Sequence, residues 1–102
     1  MSRINKTAVW PALVLLASLS AQAEEDWRAF MLSASCAACH GTDGESPDSI
    51  PTIRGKSAEY IADKLRAYKA GKDNPTVMNR LAKGYSEEEI DAIAAWFAAR
   101  ER

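Results

Sequence analysis

Both cysteines and the only histidine of the chain fall within one heptapeptide, SCAACHG, from Ser35 to Gly41. Cys36 and Cys39 stand three positions apart and His40 follows at once, a grouping that three chemistries can use. Two thiols at this spacing can cycle as a redox disulfide, thiolates and an imidazole can hold a metal ion, or the thiols can bond to the vinyl groups of a haem while the histidine reaches the iron. The compartment and the elements that present the three side chains decide among them.

Residues 1–23 read as a secretory signal peptide. Arg3 and Lys6 form a positive start, Ala8 to Leu19 an apolar stretch of 12 residues, and Ala21-Gln22-Ala23 a cleavage site with small residues where a signal peptidase needs them. A membrane span needs roughly 18 or more apolar residues. This stretch is shorter, contains Pro11 and runs into Glu24-Glu25-Asp26, so no stable membrane insertion is expected after cleavage. No cysteine follows the site to carry a lipid. The expected location is the periplasm, where thiols meet an oxidising environment.

The second unit, residues 24–102, has 79 residues, a size at which a hydrophobic core alone supplies only about 3–5 kcal/mol and a staple or cofactor is common. It keeps 11 of the 13 basic residues and all 14 acidic ones, so nothing marks it for nucleic acid.

Its hydrophobic periodicity predicts an all-α fold of three main helices and a short one, with no strand. The first helix spans about Glu24 to Ser35, with Trp27, Phe30, Met31 and Ala34 as its apolar stripe, and ends at the cysteines. After a loop from Gly41 to Gly55, Ser57 caps a second helix with Ile61, Leu65 and Tyr68 on one face and Gly71 as its stop. A short turn covers Val77 to Lys83. Ser86-Glu87-Glu88-Glu89 is a capping box for the last helix, which buries Ile90, Ile93, Ala94 and Phe97 with Trp96 beside them.

This layout favours haem attachment. A redox CxxC follows a strand, and a structural zinc site takes four ligands where this chain offers three candidates, two of them adjacent in sequence. Cys36 and Cys39 are then the covalent haem ligands, one haem c per chain, and His40 the axial ligand of the iron. With one histidine available, the second axial position falls to a methionine. Met31 lies five residues before Cys36 and reads as core, whereas Met78, 38 residues beyond His40, can reach the opposite face. His/Met ligation raises the reduction potential. Tyr60 and Tyr68 read as core, with hydroxyls available to a haem propionate. The only histidine is committed to iron and both axial positions are filled, so no catalytic residue is assigned and the protein alone is not expected to be an enzyme.

The chain resembles the class I cytochromes c: CAACHG after an amphipathic helix, Pro51-Thr52-Ile53-Arg54-Gly55 in place of the family's Pro-x-Leu-x-Gly, a methionine in a proline-containing loop, and a last helix with an inward aromatic. The resemblance implies that the Pro51 carbonyl accepts a hydrogen bond from His40 Nδ1, and that Phe30 or Trp27 crosses Trp96. Isoleucine at 53 and tryptophan at 96 depart from the usual residues. More narrowly, MLSASCAACHGTDG, YIADKLRAYKAGK and the run from Val77 to Ser86 are similar to the cytochrome subunit of flavocytochrome c sulfide dehydrogenase, which implies a partner bearing FAD. A free shuttle cytochrome with another redox protein as partner shares much of the same pattern. Charge is uneven: residues 24–53 hold six acidic and one basic residue, residues 54–83 three acidic and eight basic, and residues 84–102 five acidic and two basic. Lys64, Lys69, Lys72, Arg80 and Lys83 are therefore a candidate docking rim for an acidic partner.

Overall fold

The structure of the protein, a computed structural model, describes residues 6–72 and 76–100, with side chains from residue 12 onward. Arg3, the side chains of Lys6 and Pro11, and the loop residues Asn74 and Pro75 lie outside the described residues. Four helices follow in order, α1 (Lys6–His40), α2 (Ala58–Lys69), α3 (Val77–Ala82) and α4 (Glu87–Ala98), with a 3-10 turn at Thr42–Gly44. No strand occurs among the described residues, and the all-α expectation holds.

α1 is longer than expected at both ends. From residue 12 to His40 the chain has neither proline nor glycine and is rich in alanine, leucine and other good helix formers, so nothing interrupts the ladder at Glu24 or at Ser35. It stops at His40 because Gly41 takes φ 88, and the Gly41 N–H closes the last turn on the Ala37 carbonyl at 2.9 Å. Cys36, Cys39 and His40 thus stand on the last turn of α1. Leu13, Val14, Leu15, Leu16 and Leu19 are all exposed, and no helix among the described residues is long and apolar enough to cross a membrane.

The core forms where α2 and α4 pack together and α1 crosses α4. Ile90, Ile93, Ala94 and Phe97 of α4 meet Ile61, Ala62 and Leu65 of α2, with Leu32, Cys36, Ile53, Met78, Tyr85 and Trp96 packed around them. Burying each large side chain contributes about 1.5–3 kcal/mol. The helix ends are capped as the sequence indicates. The Tyr60 N–H donates to Ser57 Oγ at 3.0 Å, and α2 closes with Gly71 N–H on the Tyr68 carbonyl and Lys72 N–H on the Ala67 carbonyl, both at 3.0 Å. At α4, Ser86 N–H donates to Glu89 Oε1 at 2.9 Å and Glu89 N–H to Ser86 Oγ at 3.1 Å. α3 repeats the device with Thr76 and Asn79. Two acidic residues of α4's first turns, Glu87 and Asp91, also take the fork of Arg66 at 2.7 and 2.6 Å, which holds that guanidinium's pKa above its usual value.

The apolar stripe expected for α1 is not the buried one. Trp27, Phe30, Met31 and Ala34 do not face the core, and Trp27 and Met31 are 61% and 53% exposed. The inward face is Ala29, Leu32, Ser33 and Cys36, offset from the larger stripe. Small residues at 29 and 33 let α1 approach α4 closely. Phe30, at the edge of this face, meets Trp96 edge-on at 5.7 Å between ring centres, and Trp27 lies behind Phe30 at 5.5 Å.

Candidate functional site

The last turn of α1 presents its three reactive residues in different settings. Cys36 is half-buried against the core, and burial pushes its thiol above the ordinary 9.0. Cys39 is exposed, and the two thiols are unpaired. His40 Nδ1 lies 2.6 Å from the Pro51 carbonyl oxygen, which is the contact the resemblance implies. A carbonyl can only accept, so Nδ1 carries the proton and the neutral ring keeps its lone pair on Nε2. That is the tautomer a metal-binding imidazole needs, with the ring's orientation set by the backbone of another segment.

Two glycines hold that segment in place. A side chain at Gly41 would put its Cβ 2.0 Å from the Glu45 carbonyl oxygen, so the residue after His40 must be glycine both for its φ and for the closeness of the returning chain. Gly44, buried with φ 83, accepts from the N–H groups of Ile53 and Arg54 at 2.8 and 3.1 Å through its carbonyl. Arg54 then ties the loop to Glu45 at 2.8 Å and to the Arg100 carbonyl beyond α4 at 3.0 Å. Arg100 in turn covers the Trp96 ring at 3.6 Å. The Pro51 carbonyl is therefore carried by a loop anchored at both the 3-10 turn and α4. Gly41, Gly44 and Arg54 had no assigned role in the sequence reading, and the glycine directly after the histidine was the available signal.

Met78 sits in the first turn of α3, half-buried against the same core cluster that Cys36 borders. Tyr68 is half-buried on α2. Tyr60 is not core: it is 47% exposed, with Lys56 Nζ 5.4 Å from its ring centre, because it precedes the buried Ile61 by one residue and so points about 100° away from it. Tyr85, which the sequence reading left without a role, shares a 2.9 Å hydrogen bond with Ser35 beside Cys36.

Among the described residues no three His, Cys, Asp or Glu side chains converge to hold a metal ion. Cys36, Cys39 and His40 instead offer three separate points of attachment around one helix end. This donor set fits a large planar group bonded at two thiols and ligated by Nε2 of the histidine, and such a haem supplies one-electron chemistry at its iron.

The cytochrome c family profile matches residues 28–99. The chain therefore belongs to the cytochrome c family, electron-transfer proteins with covalently attached haem c. It is 56% identical over 70 residues to the cytochrome subunit of sulfide dehydrogenase of Chlorobaculum tepidum, covering 69% of this chain and 64% of that protein. Over 70 residues it is 40% identical to cytochrome c-554(548) of Halomonas halodenitrificans, covering 65% of this chain and 84% of the relative. A thiosulfate dehydrogenase electron acceptor of Stutzerimonas stutzeri is 37% identical over 67 residues, 62% of this chain and 31% of that protein. The chain thus spans just under two thirds of the sulfide dehydrogenase subunit and about a third of the thiosulfate dehydrogenase acceptor.

Proposed function

We propose that the chain is a periplasmic cytochrome carrying one haem c on Cys36 and Cys39, with His40 and Met78 as axial ligands, exported behind a signal peptide of residues 1–23 and serving as the haem subunit that takes single electrons from an FAD-bearing sulfide dehydrogenase subunit. The observation that carries the site is the 2.6 Å contact of His40 Nδ1 with the Pro51 carbonyl, which leaves Nε2 free for iron. Cys36 and Cys39 anchor from the same turn of α1, Met78 closes the other side from α3, and Tyr68 and Tyr60 offer hydroxyls at the rim.

The identity of 56% to a sulfide dehydrogenase cytochrome subunit supports the partner, as does the thiosulfate dehydrogenase acceptor among the similar chains, since both names imply electrons received from a dehydrogenase. The exposed apolar run at Leu13 to Leu19, joined to the core-forming part of α1 without packing partners of its own among the buried residues, supports removal of the first 23 residues. A second reading, a free shuttle, draws on the 84% coverage of cytochrome c-554(548).

Affinity purification of the processed protein from periplasmic extract, with intact-mass analysis, tests these readings. The expected mass is residues 24–102 plus one haem, and the expected companion is a flavin-containing chain. A mass with free thiols or a Cys36–Cys39 disulfide refutes haem attachment. Recovery of the haem protein alone refutes the subunit reading and favours the shuttle.

A further inference from the structure

We infer that Tyr85 is a positioning residue: its hydroxyl bonds to Ser35 and clasps the segment carrying Met78 to the helix turn carrying Cys36. Ser35 Oγ lies 3.0 Å from the Leu32 carbonyl and 2.9 Å from Tyr85 Oη. A serine hydroxyl has one proton, and the Leu32 carbonyl can only accept it, so at the second contact Tyr85 is the donor. Tyr85 is itself held on two sides. Its N–H donates to the Ala82 carbonyl at 3.3 Å, and Gly84 N–H donates to the Leu81 carbonyl at 3.1 Å, which locks the turn onto the end of α3. Its own carbonyl accepts from Lys69 Nζ of α2.

No slack chain separates Met78 from Tyr85: α3 runs from Val77 to Ala82 and passes directly into this turn. α3 has six residues and one buried side chain, Ala82, so its own packing fixes it weakly. Asn79 Nδ2 joins it to the Tyr68 carbonyl of α2 at 3.3 Å. The Tyr85–Ser35 bond ties the same segment to α1, on which His40 and both cysteines stand. It thus bridges the two elements that must keep a fixed separation if one iron is held from both sides.

The inference rests on Met78 as axial ligand. Opening of the Met78 side exposes the iron to an added ligand, so exogenous imidazole measures the opening equilibrium. The loaded protein is titrated with imidazole while the methionine–iron absorption band is followed, for wild type, Tyr85→Phe, Ser35→Ala and the double variant. Loss of one hydrogen bond is expected to raise apparent imidazole affinity about fivefold in each single variant, with the double variant no further displaced, since both substitutions remove the same bond. Glu59→Gln, at an exposed residue of α2 outside the clasp and away from the site, is expected to leave the affinity unchanged. A purely structural hydroxyl would lower the urea midpoint and leave imidazole affinity where it was, and that result overturns the inference. Additive single effects overturn it as well. A wild-type protein with no methionine–iron band overturns the ligand reading instead, a separate result visible before any variant is made.

Discussion

Gly44→Ala tests how tightly the loop bearing Pro51 is built. Gly44 has φ 83, where an L residue costs about 1–2 kcal/mol. Its added Cβ would lie 2.8 Å from Phe97 Cδ1, 2.9 Å from Ile53 Cγ1 and 3.0 Å from the Arg54 nitrogen. Carbon atoms in good contact sit about 3.5–4.0 Å apart, so the methyl overlaps a sealed core ring and the loop it supports by more than half an ångström. Overpacking of that kind costs about 1–3 kcal/mol, and with the backbone strain the total is about 2–5 kcal/mol. Gly55 separates the two causes. It has φ 76 but nothing within 4 Å of an added Cβ, so Gly55→Ala carries the strain alone. Urea unfolding of the loaded protein should therefore place Gly44→Ala well below Gly55→Ala, by about 1 kcal/mol or more. Equal midpoints for the two variants would refute the close packing of the 3-10 turn on Phe97 and Ile53.

Met78→Ala should abolish the methionine–iron absorption band of the oxidised protein and Met31→Ala should preserve it, since Met31 is exposed and Met78 borders the core; the reverse outcome assigns the ligand wrongly. Reversal of Lys72, Arg80 and Lys83 to Glu should slow electron transfer to an acidic acceptor several-fold at low salt and much less once the Debye length falls to about 8–10 Å, as read by stopped flow. These three are exposed, whereas Lys69 is half-buried and bonded to the Tyr85 carbonyl and within 3.8 Å of Glu87, so it is left out. The hydrogen bonds from the Ser86 backbone and side chain hold the Glu89 carboxyl below the ordinary 4.5. A carboxyl more acidic when folded than when unfolded stabilises above its unfolded pKa, and that contribution is lost as pH falls from about 4.5 through the folded value. Urea midpoints followed against pH should thus fall less steeply in that window for Glu89→Gln than for wild type, and parallel curves would sink the assignment.

The helices that read most clearly from sequence are those whose caps and cores agree. Ser86 and Glu89 announce α4, and Ile90, Ile93, Ala94 and Phe97 are all buried where the periodicity puts them. Ser57, Ile61, Leu65 and Gly71 do the same for α2. α1 misled because it carries two stripes of helical spacing. Trp27, Phe30, Met31 and Ala34 are the larger residues, but Ala29, Leu32, Ser33 and Cys36 are the ones that face the core. Size was the wrong criterion, since a helix crossing needs small residues where backbones approach. Cys36 lies on the inward stripe and His40 one turn beyond it, so the register of the reactive residues could have selected the face. The loop from Gly41 to Gly55 gave no periodic signal, because its geometry depends on positive φ at Gly41 and Gly44 and on single backbone hydrogen bonds between residues far apart in sequence.

These supports are unequal on the two sides of the proposed iron, and the inequality predicts an order of events. His40 ends α1, of which Glu24 to His40 remain after the proposed processing and pack on α4, with Gly41 closing the turn, Pro51 fixing the ring, and Gly44 and Arg54 fixing Pro51. Met78 stands on a six-residue helix whose links to the rest, among the described residues, include the core contact of Met78, buried Ala82, one bond from Asn79 to Tyr68, the Lys69 bond to the Tyr85 carbonyl, and the Tyr85 clasp. Segments with few buried contacts open at lower free energy than the whole molecule. In a urea titration the methionine–iron band should therefore fade before far-UV circular dichroism reports loss of helix, leaving a range of urea in which α1, α2 and α4 persist and Met78 has let go. Coincident transitions by the two probes would show that α3 is as firmly held as the His40 side, and the contrast drawn from these anchors would then be wrong.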